Sequence, residues 1–136
     1  MLSPHGRFLI IGVGNEYRCD DSAGLIVARG LKKQTRDDVA VVEQSGDGAA
    51  LMEAWKSADA VILIDAVNSG AEAGMIHRIE AHAQPIPRKF FRYSTHAFSV
   101  AEAIELARTL GEVPRRLIVY GIEGKMPRHP NSSGTM

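Results

Sequence analysis

The sequence predicts an α/β fold: three layers, with a mainly parallel, twisted sheet of about five strands and helices on both faces. Short apolar runs alternate with helical segments, as in strand–helix–strand units with right-handed crossovers. The first run, residues 7–13, is continuously apolar after Arg7, which is typical of a parallel strand covered on both sides. A glycine-rich turn follows it, at the sheet edge where open α/β folds bind ligands.

The first half of the chain is predicted to contain two helices between its strands. Asp20 or Asp21 can cap a helix that runs to about Lys33. Residues 38–43 form the second strand, and a turn at 45–48 leads into a short helix. The apolar side of the first helix is expected to comprise Leu25, Ile26, Ala28 and Leu31, and that of the second Leu51, Met52 and Trp55.

The second half is predicted to add three strands and one helix. Residues 60–65 form a strand that ends in an acid, 75–80 an edge strand, and 116–121 the last strand. Residues 83–95, with two prolines and several basic residues, are expected to be a loop. A capping box at Ser99 and Glu102 begins a helix that ends at Gly111. Its apolar side is expected to comprise Ile104, Ala107 and Leu110.

Composition excludes several classes of protein. The 136 residues are 45% apolar and 24% charged, which suits one globular domain. Sixteen basic residues balance sixteen acidic ones, so nothing favours nucleic acid or an anionic membrane as partner. No apolar run approaches the roughly 20 residues of a membrane span, and no signal-peptide pattern opens the chain. A single cysteine, Cys19, favours a reducing, cytoplasmic setting.

The end of the chain differs in character from the rest. We expect residues 1–124 to form one domain and residues 125–136, rich in Pro, Asn, Ser and Gly, to be disordered or extended. No helix is predicted after the last strand. One face of the sheet would therefore be left partly uncovered.

Three side chains are candidates for a metal site. Only one of Asp20 and Asp21 is needed to cap the first helix, so the other is available to a ligand, and Asp21 is the candidate. Asp65 ends a buried strand, and His96 lies near a helix start, where the helix dipole favours the neutral imidazole that binds metals. The three should converge at one sheet edge, and this ligand set suits Zn, Ni or Co. Capping roles for the acids and a surface role for the histidine are the alternatives.

The glycine turn Gly12-Val-Gly-Asn15 does not match a nucleotide site. A dinucleotide fingerprint needs glycine where Tyr17 stands, and the P-loop, zinc-protease and serine-hydrolase motifs are absent. The simplest interpretation is a tight turn that lets helix and strand pack. Cys19, beside the acids, is interpreted as incidental or as an additional soft ligand.

Five short motifs, taken in order, resemble those of the hydrogenase maturation proteases and span about residues 7–124. They are Gly12-Val-Gly-Asn15 with Asp20-Asp21 and Gly24, Glu43-Gln-Ser-Gly-Asp-Gly48, Ile64-Asp-Ala-Val67, Ser94-Thr-His96 and Val119-Tyr-Gly-Ile-Glu123. The resemblance implies an aspartyl-type endopeptidase. Such an enzyme removes the C-terminal extension of a [NiFe] hydrogenase large-subunit precursor after nickel has been inserted.

The resemblance also implies roles for individual residues. Asp21, Asp65 and His96 match the family's three metal-contacting positions, although the first is often glutamate in relatives. The family is described as recognising nickel already seated in the precursor, so no permanent catalytic cofactor is expected. Gly12, Gly14 and Asn15 would shape the loop that carries Asp21.

Two matters stay open on the sequence alone. Water could be activated by a carboxylate acting as general base, with Glu43 and Asp47 as candidates. Relatives continue into a final helix that is not predicted here, so the C-terminus looks truncated or altered, and the uncovered sheet would favour self-association. The alternatives to a maturation protease are a hydrolase with its own zinc and a non-catalytic module that binds nickel or the precursor.

Overall fold

The computed structural model describes residues 8–14, 23–34, 38–90 and 98–124, and these form one sheet with helices on both sides. The elements are β1 (Phe8–Val13), α1 (Ala23–Lys32), β2 (Val39–Gln44), α2 (Gly48–Trp55), β3 (Ala60–Val67), β4 (Ile76–Glu80), α3 (Val100–Leu110) and β5 (Arg116–Glu123), with a short 3-10 turn at Arg88–Phe90. Within these ranges, no helix is long and apolar enough to cross a lipid bilayer.

The strand order in the sheet is β2-β1-β3-β5-β4. The first four of these strands run parallel, and β4 pairs antiparallel with β5 at the edge. The predicted mainly parallel sheet and the edge position of the fourth strand are therefore confirmed. From β1 the chain goes to β2 on one side, and then crosses to β3 on the other. The order thus reverses between β1 and β3, a switch point of the kind that carries ligand sites in open α/β folds.

One face of the sheet, which we call the α2/α3 face, carries the larger part of the core. Ile11 of β1 and Leu63 of β3 are fully buried in the same cluster as Trp55 of α2 and Ile104 of α3. Burying one such side chain contributes about 1.5–3 kcal/mol relative to leaving it in water. Side-chain volume therefore holds α2 and α3 onto this face.

The opposite face, the α1 face, is built on glycine. A Cβ atom at Gly24 of α1 would lie closer than 3.0 Å to the carbonyl oxygens of Val13 and Ile64, and one at Gly12 would meet Ala28 and the backbone of Gly24. α1 consequently lies directly on the backbone of β1 and β3. This is the tight helix–strand packing that the glycine turn predicted.

The ends of two strands and the outer residues of two helices differ from the predictions. β3 and β5 each continue two residues further, because they pair with one another as far as Val67 and Glu123. Ile26 is 62% exposed and Leu110 is 56% exposed, so neither belongs to a buried helix side. α1 rests on a narrow strip of small residues and Leu25, and Leu110 is in the last turn of α3.

The predicted start and end of α3 are confirmed. The backbone N–H of Ser99 donates to Oε1 of Glu102 at 3.0 Å, and the Ser99 hydroxyl also contacts that carboxylate. The hydrogen bond from the Ser99 side chain lowers the pKa of Glu102. Gly111 ends the helix with a φ of +71°. In the predicted loop before this helix, Ile86 and Phe90 are buried.

Candidate active site

The candidate site lies at the carboxyl edge of the parallel strands, beside the switch point. Gly14 follows β1 directly, and its N–H donates to the carbonyl of Gln44, the last residue of β2, at 2.9 Å. The beginning of the glycine turn is thus tied to the neighbouring strand. Asn15 and Asp21, which follow in the chain, lie outside the described residues.

Asp65 is half-buried on the α2/α3 face. Leu63 and Val67, which share its side of β3, belong to the core cluster on that face. Its Oδ1 accepts a hydrogen bond from the backbone N–H of Ala66 at 2.7 Å. Asp65 pairs with Gly121 of β5, two residues before the end of its strand. An acidic side chain therefore interrupts an otherwise apolar column where the strands reach the site.

The two residues that flank the segment 91–97, which carries His96, accept hydrogen bonds from other parts of the fold. Phe90, which precedes residues 91–97, accepts a hydrogen bond from the N–H of Asn68 at 3.3 Å, just beyond β3. Phe98, which follows them, accepts one from the N–H of Gly48 at 2.8 Å, at the start of α2. His96 lies outside the described residues, so its placement beside Asp65 stays a prediction.

Glu43 lies on the other side of the sheet from Asp65. It pairs with Gly12, which faces α1, and Arg29 of α1 reaches its carboxylate with Nη2–Oε1 at 2.9 Å and Nε–Oε2 at 3.2 Å. The hydrogen bond from Arg29 holds the pKa of Glu43 below its usual value. A carboxylate with a lowered pKa is a weaker base.

Asp47 precedes Gly48, whose N–H donates to the carbonyl of Phe98. It is the N-cap residue of α2, and its backbone carbonyl accepts from Leu51 at 3.0 Å, but its side chain makes no capping hydrogen bond. Its neighbour Gly48 holds Phe98. Of the two further carboxylates predicted for general-base work, Glu43 is paired with Arg29, whereas the Asp47 side chain makes no capping hydrogen bond.

A polar cluster at the end of β5 was not assigned any role from the sequence. Glu123 is only 3% exposed. Its carboxylate accepts from the Ser69 backbone N–H at 3.1 Å, the Ser69 hydroxyl and Nε2 of His77 at 2.9 Å. Burial raises the pKa of Glu123, but hydrogen bonds from Ser69 and His77 outweigh it and hold the pKa below its usual value. The sequence feature that could have pointed to this cluster is the acidic residue at the end of an apolar strand.

The described ranges contain no group of three or more His, Cys, Asp or Glu side chains suited to a metal ion. Two of the three predicted ligands, Asp21 and His96, fall outside those ranges, so the three-residue metal site stays a prediction. Asp65 is the member whose surroundings the structure defines.

The fold and the edge acid define an open α/β protein with a candidate ligand site at a topological switch point. The chain belongs to the hydrogenase maturation protease family, because the family model HycI, described as hydrogenase maturation protease, matches residues 26–129. The family resemblance is thereby confirmed. Four of the five sequence motifs lie within the matched residues, and the first, at residues 12–24, precedes them.

Individual relatives agree with this membership. The chain is 26% identical over 119 residues to the hydrogenase expression/formation protein HupD of Thiocapsa roseopersicina, covering 86% of this chain and 54% of that protein. It is 28% identical over 122 residues to the hydrogenase 2 maturation protease of Escherichia coli, covering 85% and 72% respectively. The chain spans 64% and 60% of two further HupD proteins, from Bradyrhizobium diazoefficiens and Rhizobium leguminosarum.

Solved structures share the fold. An endopeptidase from Escherichia coli, determined in solution, superposes with a TM-score of 0.74 at 24% identity, over 88% of this chain and 75% of that one. The hydrogenase maturating endopeptidase HybD from Escherichia coli superposes with a TM-score of 0.64 at 22% identity, over 95% and 84%. At these identities the likeness establishes the architecture.

Proposed function

We propose that this chain is an endopeptidase that removes the C-terminal extension of a [NiFe] hydrogenase large-subunit precursor after nickel insertion. Membership of the hydrogenase maturation protease family is the observation that carries this proposal. The half-buried Asp65 at the switch point supports it, since that edge is where a protein of this fold engages its ligand.

In this proposal Asp21, Asp65 and His96 engage the nickel of the precursor. The nickel is part of the substrate, and carboxylate and imidazole groups suit it as additional ligands. Asp65 lies near the carboxyl end of β3. The two residues that flank 91–97 accept hydrogen bonds near the ends of neighbouring strands, Phe90 from Asn68 after β3 and Phe98 from Gly48 after β2. Binding the metal would hold the nearby peptide bond in a fixed position, which lowers the entropic part of the barrier.

Hydrolysis itself requires a base for water. Attack of water on the scissile carbonyl releases a proton, which the base accepts and then passes to the leaving amine as the C–N bond breaks. We favour Asp47 as this base, because its side chain makes no capping hydrogen bond and its neighbour Gly48 donates to the carbonyl of Phe98. Glu43 is engaged by Arg29 on the α1 face.

Cleavage of nickel-loaded precursor by the purified protein tests the proposal. The double variant Asp65→Ala/His96→Ala should leave no cleavage above background, because two of three nickel contacts are lost. Asp59→Asn is the matched control: Asp59 is exposed and lies at the opposite edge of the sheet, beside the start of β5. Undiminished cleavage by the double variant would exclude the assigned site.

Two other outcomes would replace the proposal. Stoichiometric zinc in protein purified without added metal would indicate a hydrolase with its own metal. Specific binding of the precursor by the unmodified chain without cleavage would indicate a binding module. Metal analysis and precursor pull-down on the same preparation separate these outcomes.

The proposed setting is the cytoplasm, where a nickel-loaded precursor would meet the enzyme. We also propose that the chain can self-associate through the sheet surface near β4. Ile76 is 63% exposed and Met75 is 47% exposed at this edge, while α1 packs on β1, β2 and β3. Sedimentation at increasing protein concentration measures the association, and Ile76→Ser should weaken it.

A further inference from the structure

We propose that Glu123, with Ser69 and His77, is a positioning group that holds Asp65 at a fixed distance from Phe90, the residue that directly precedes residues 91–97. This rests on the proposed function, since it concerns how the nickel-contacting residues are held. The group consists of one buried carboxylate and three hydrogen-bond donors from two other parts of the chain.

The first observation is the burial of a fully engaged charge. Glu123 is 3% exposed, and a carboxylate in such a position is costly unless it is hydrogen-bonded. It accepts from the Ser69 N–H, the Ser69 hydroxyl and Nε2 of His77. An apolar side chain could fill a strand end beside the core without that cost. We therefore interpret the Glu123 carboxylate as a group that holds its hydrogen-bond donors in fixed positions.

The second observation links Glu123 to Asp65. Its backbone pairs with Val67, two residues after Asp65 on β3, and its carboxylate then fixes Ser69, two residues further. The N–H of Gly124 also donates to the Val67 carbonyl at 3.1 Å. The end of β5 therefore holds the chain continuously from Asp65 to Ser69.

The third observation links the same carboxylate to Phe90 by two routes. Asn68, next to Ser69, donates its N–H to the carbonyl of Phe90 at 3.3 Å. His77, which donates to Glu123, places its ring 4.7 Å from that of Phe90, centroid to centroid. Phe90 immediately precedes residues 91–97. One carboxylate thus connects the strand of Asp65 with the residue from which the His96 segment starts.

Metal sites in general need groups that hold the metal-contacting residues in position. Metal contacts from separate elements must be held at fixed spacing, and loss of the outer groups that orient them costs roughly 10–100-fold in metal affinity or activity. Because Asp65 and His96 come from different parts of the chain, a shared anchor between them meets this need.

Four variants test the positioning role, with nickel ion as the probe for calorimetric titration. Glu123→Ala and His77→Phe should weaken nickel binding and lower kcat for the precursor by about 10-fold, and Ser69→Ala by less, because its backbone N–H remains. His77→Phe keeps a ring against Phe90 and removes only the hydrogen bond. Glu123→Gln should stay near the unmodified protein, because its amide can accept from Ser69 and donate to the other tautomer of His77.

Arg78→Ala/Glu80→Gln is the matched control, since this exposed ion pair is on the same strand as His77 but on the α1 face. Circular dichroism and Tm are recorded for every variant. If Glu123→Ala does not fold, the nickel binding and kcat of His77→Phe and Ser69→Ala test the positioning role in its place. Folded variants with unchanged nickel affinity and cleavage would overturn the positioning role, as would equal losses in Glu123→Gln and Glu123→Ala.

Asp65→Ala is measured in parallel, so that two failures can be told apart. Nickel binding and cleavage that survive Asp65→Ala would contradict the proposed function itself. Loss of both in Asp65→Ala, together with full retention in Glu123→Ala and His77→Phe, would overturn only the positioning role.

Discussion

The two faces of the sheet hold their helices by opposite means. On the α2/α3 face, Trp55 and Ile104 fill the space above the strands with side-chain volume. On the α1 face, Gly12 and Gly24 have no side chain, and α1 rests on the strand backbone at these positions, beside the buried Leu25 and Ala28. Removing atoms should therefore damage the first face, and adding atoms should damage the second.

The largest expected effect is on the α2/α3 face. Trp55→Ala should destabilise the protein by about 4 kcal/mol, because a fully buried aromatic side chain is replaced by a cavity. Trp55 is the chain's one tryptophan, so urea unfolding must be followed by circular dichroism. Leu106→Ala, at a residue that is 41% exposed on α3, is the control and should cost much less. A loss below 1 kcal/mol for Trp55→Ala would show that volume does not hold this face.

The next effect tests the α1 face. Gly24→Ala should destabilise by about 3 kcal/mol, because the added methyl group meets two backbone carbonyls that cannot turn aside. Thermal unfolding measures it. A neutral result would mean that α1 can lift from the sheet at no cost, and would remove the distinction between the faces.

Gly30→Ala is the matched substitution in the same helix, and its expected sign is opposite. A Cβ atom there would have open space around it. Since glycine inside a helix costs about 0.5–1 kcal/mol relative to alanine, this variant should be more stable by that amount. Destabilisation at both glycines would show that close approach to the strand backbone is not what distinguishes Gly24 from Gly30.

The smallest effect concerns the ion pair that borders the α1 face. Arg29 lowers the pKa of Glu43, so the stabilisation is present at neutral pH and is lost as the pH falls through that lowered pKa. The pair is partly exposed, and its contribution is about 0.5 kcal/mol. The free energy of unfolding of Glu43→Gln should therefore differ from that of the unmodified protein at pH 7 and converge with it in acid. A constant difference would exclude the ion pair as its source.

The sequence predicted what depends on local pattern. Buried strands, the capping box at Ser99 and the stop at Gly111 are each set by neighbours in the chain, and the structure confirms them. The close approach at Gly12 was also anticipated. Asp65 was expected at the carboxyl edge because parallel strands share that edge.

Features that depend on distant pairing could not be predicted in the same way. β3 extends to Val67 because β5 pairs with it from more than fifty residues away in the chain. The separation of Glu43 from Asp65 follows from strand register, which no local pattern encodes. The contacts of Glu123 join three elements, so their assembly becomes visible only in the folded chain.

The strand order has a consequence for synthesis of the chain. Of the strands that the structure describes, β5 is the last to be made, yet it lies inside the sheet between β3 and β4. Until residues 116–123 emerge from the ribosome, β3 keeps an open hydrogen-bonding edge and β4 has no partner. Open edges of this kind recruit other chains. Premature termination before residue 116 should therefore release an aggregation-prone fragment in which β2, β1 and β3 are present without β5.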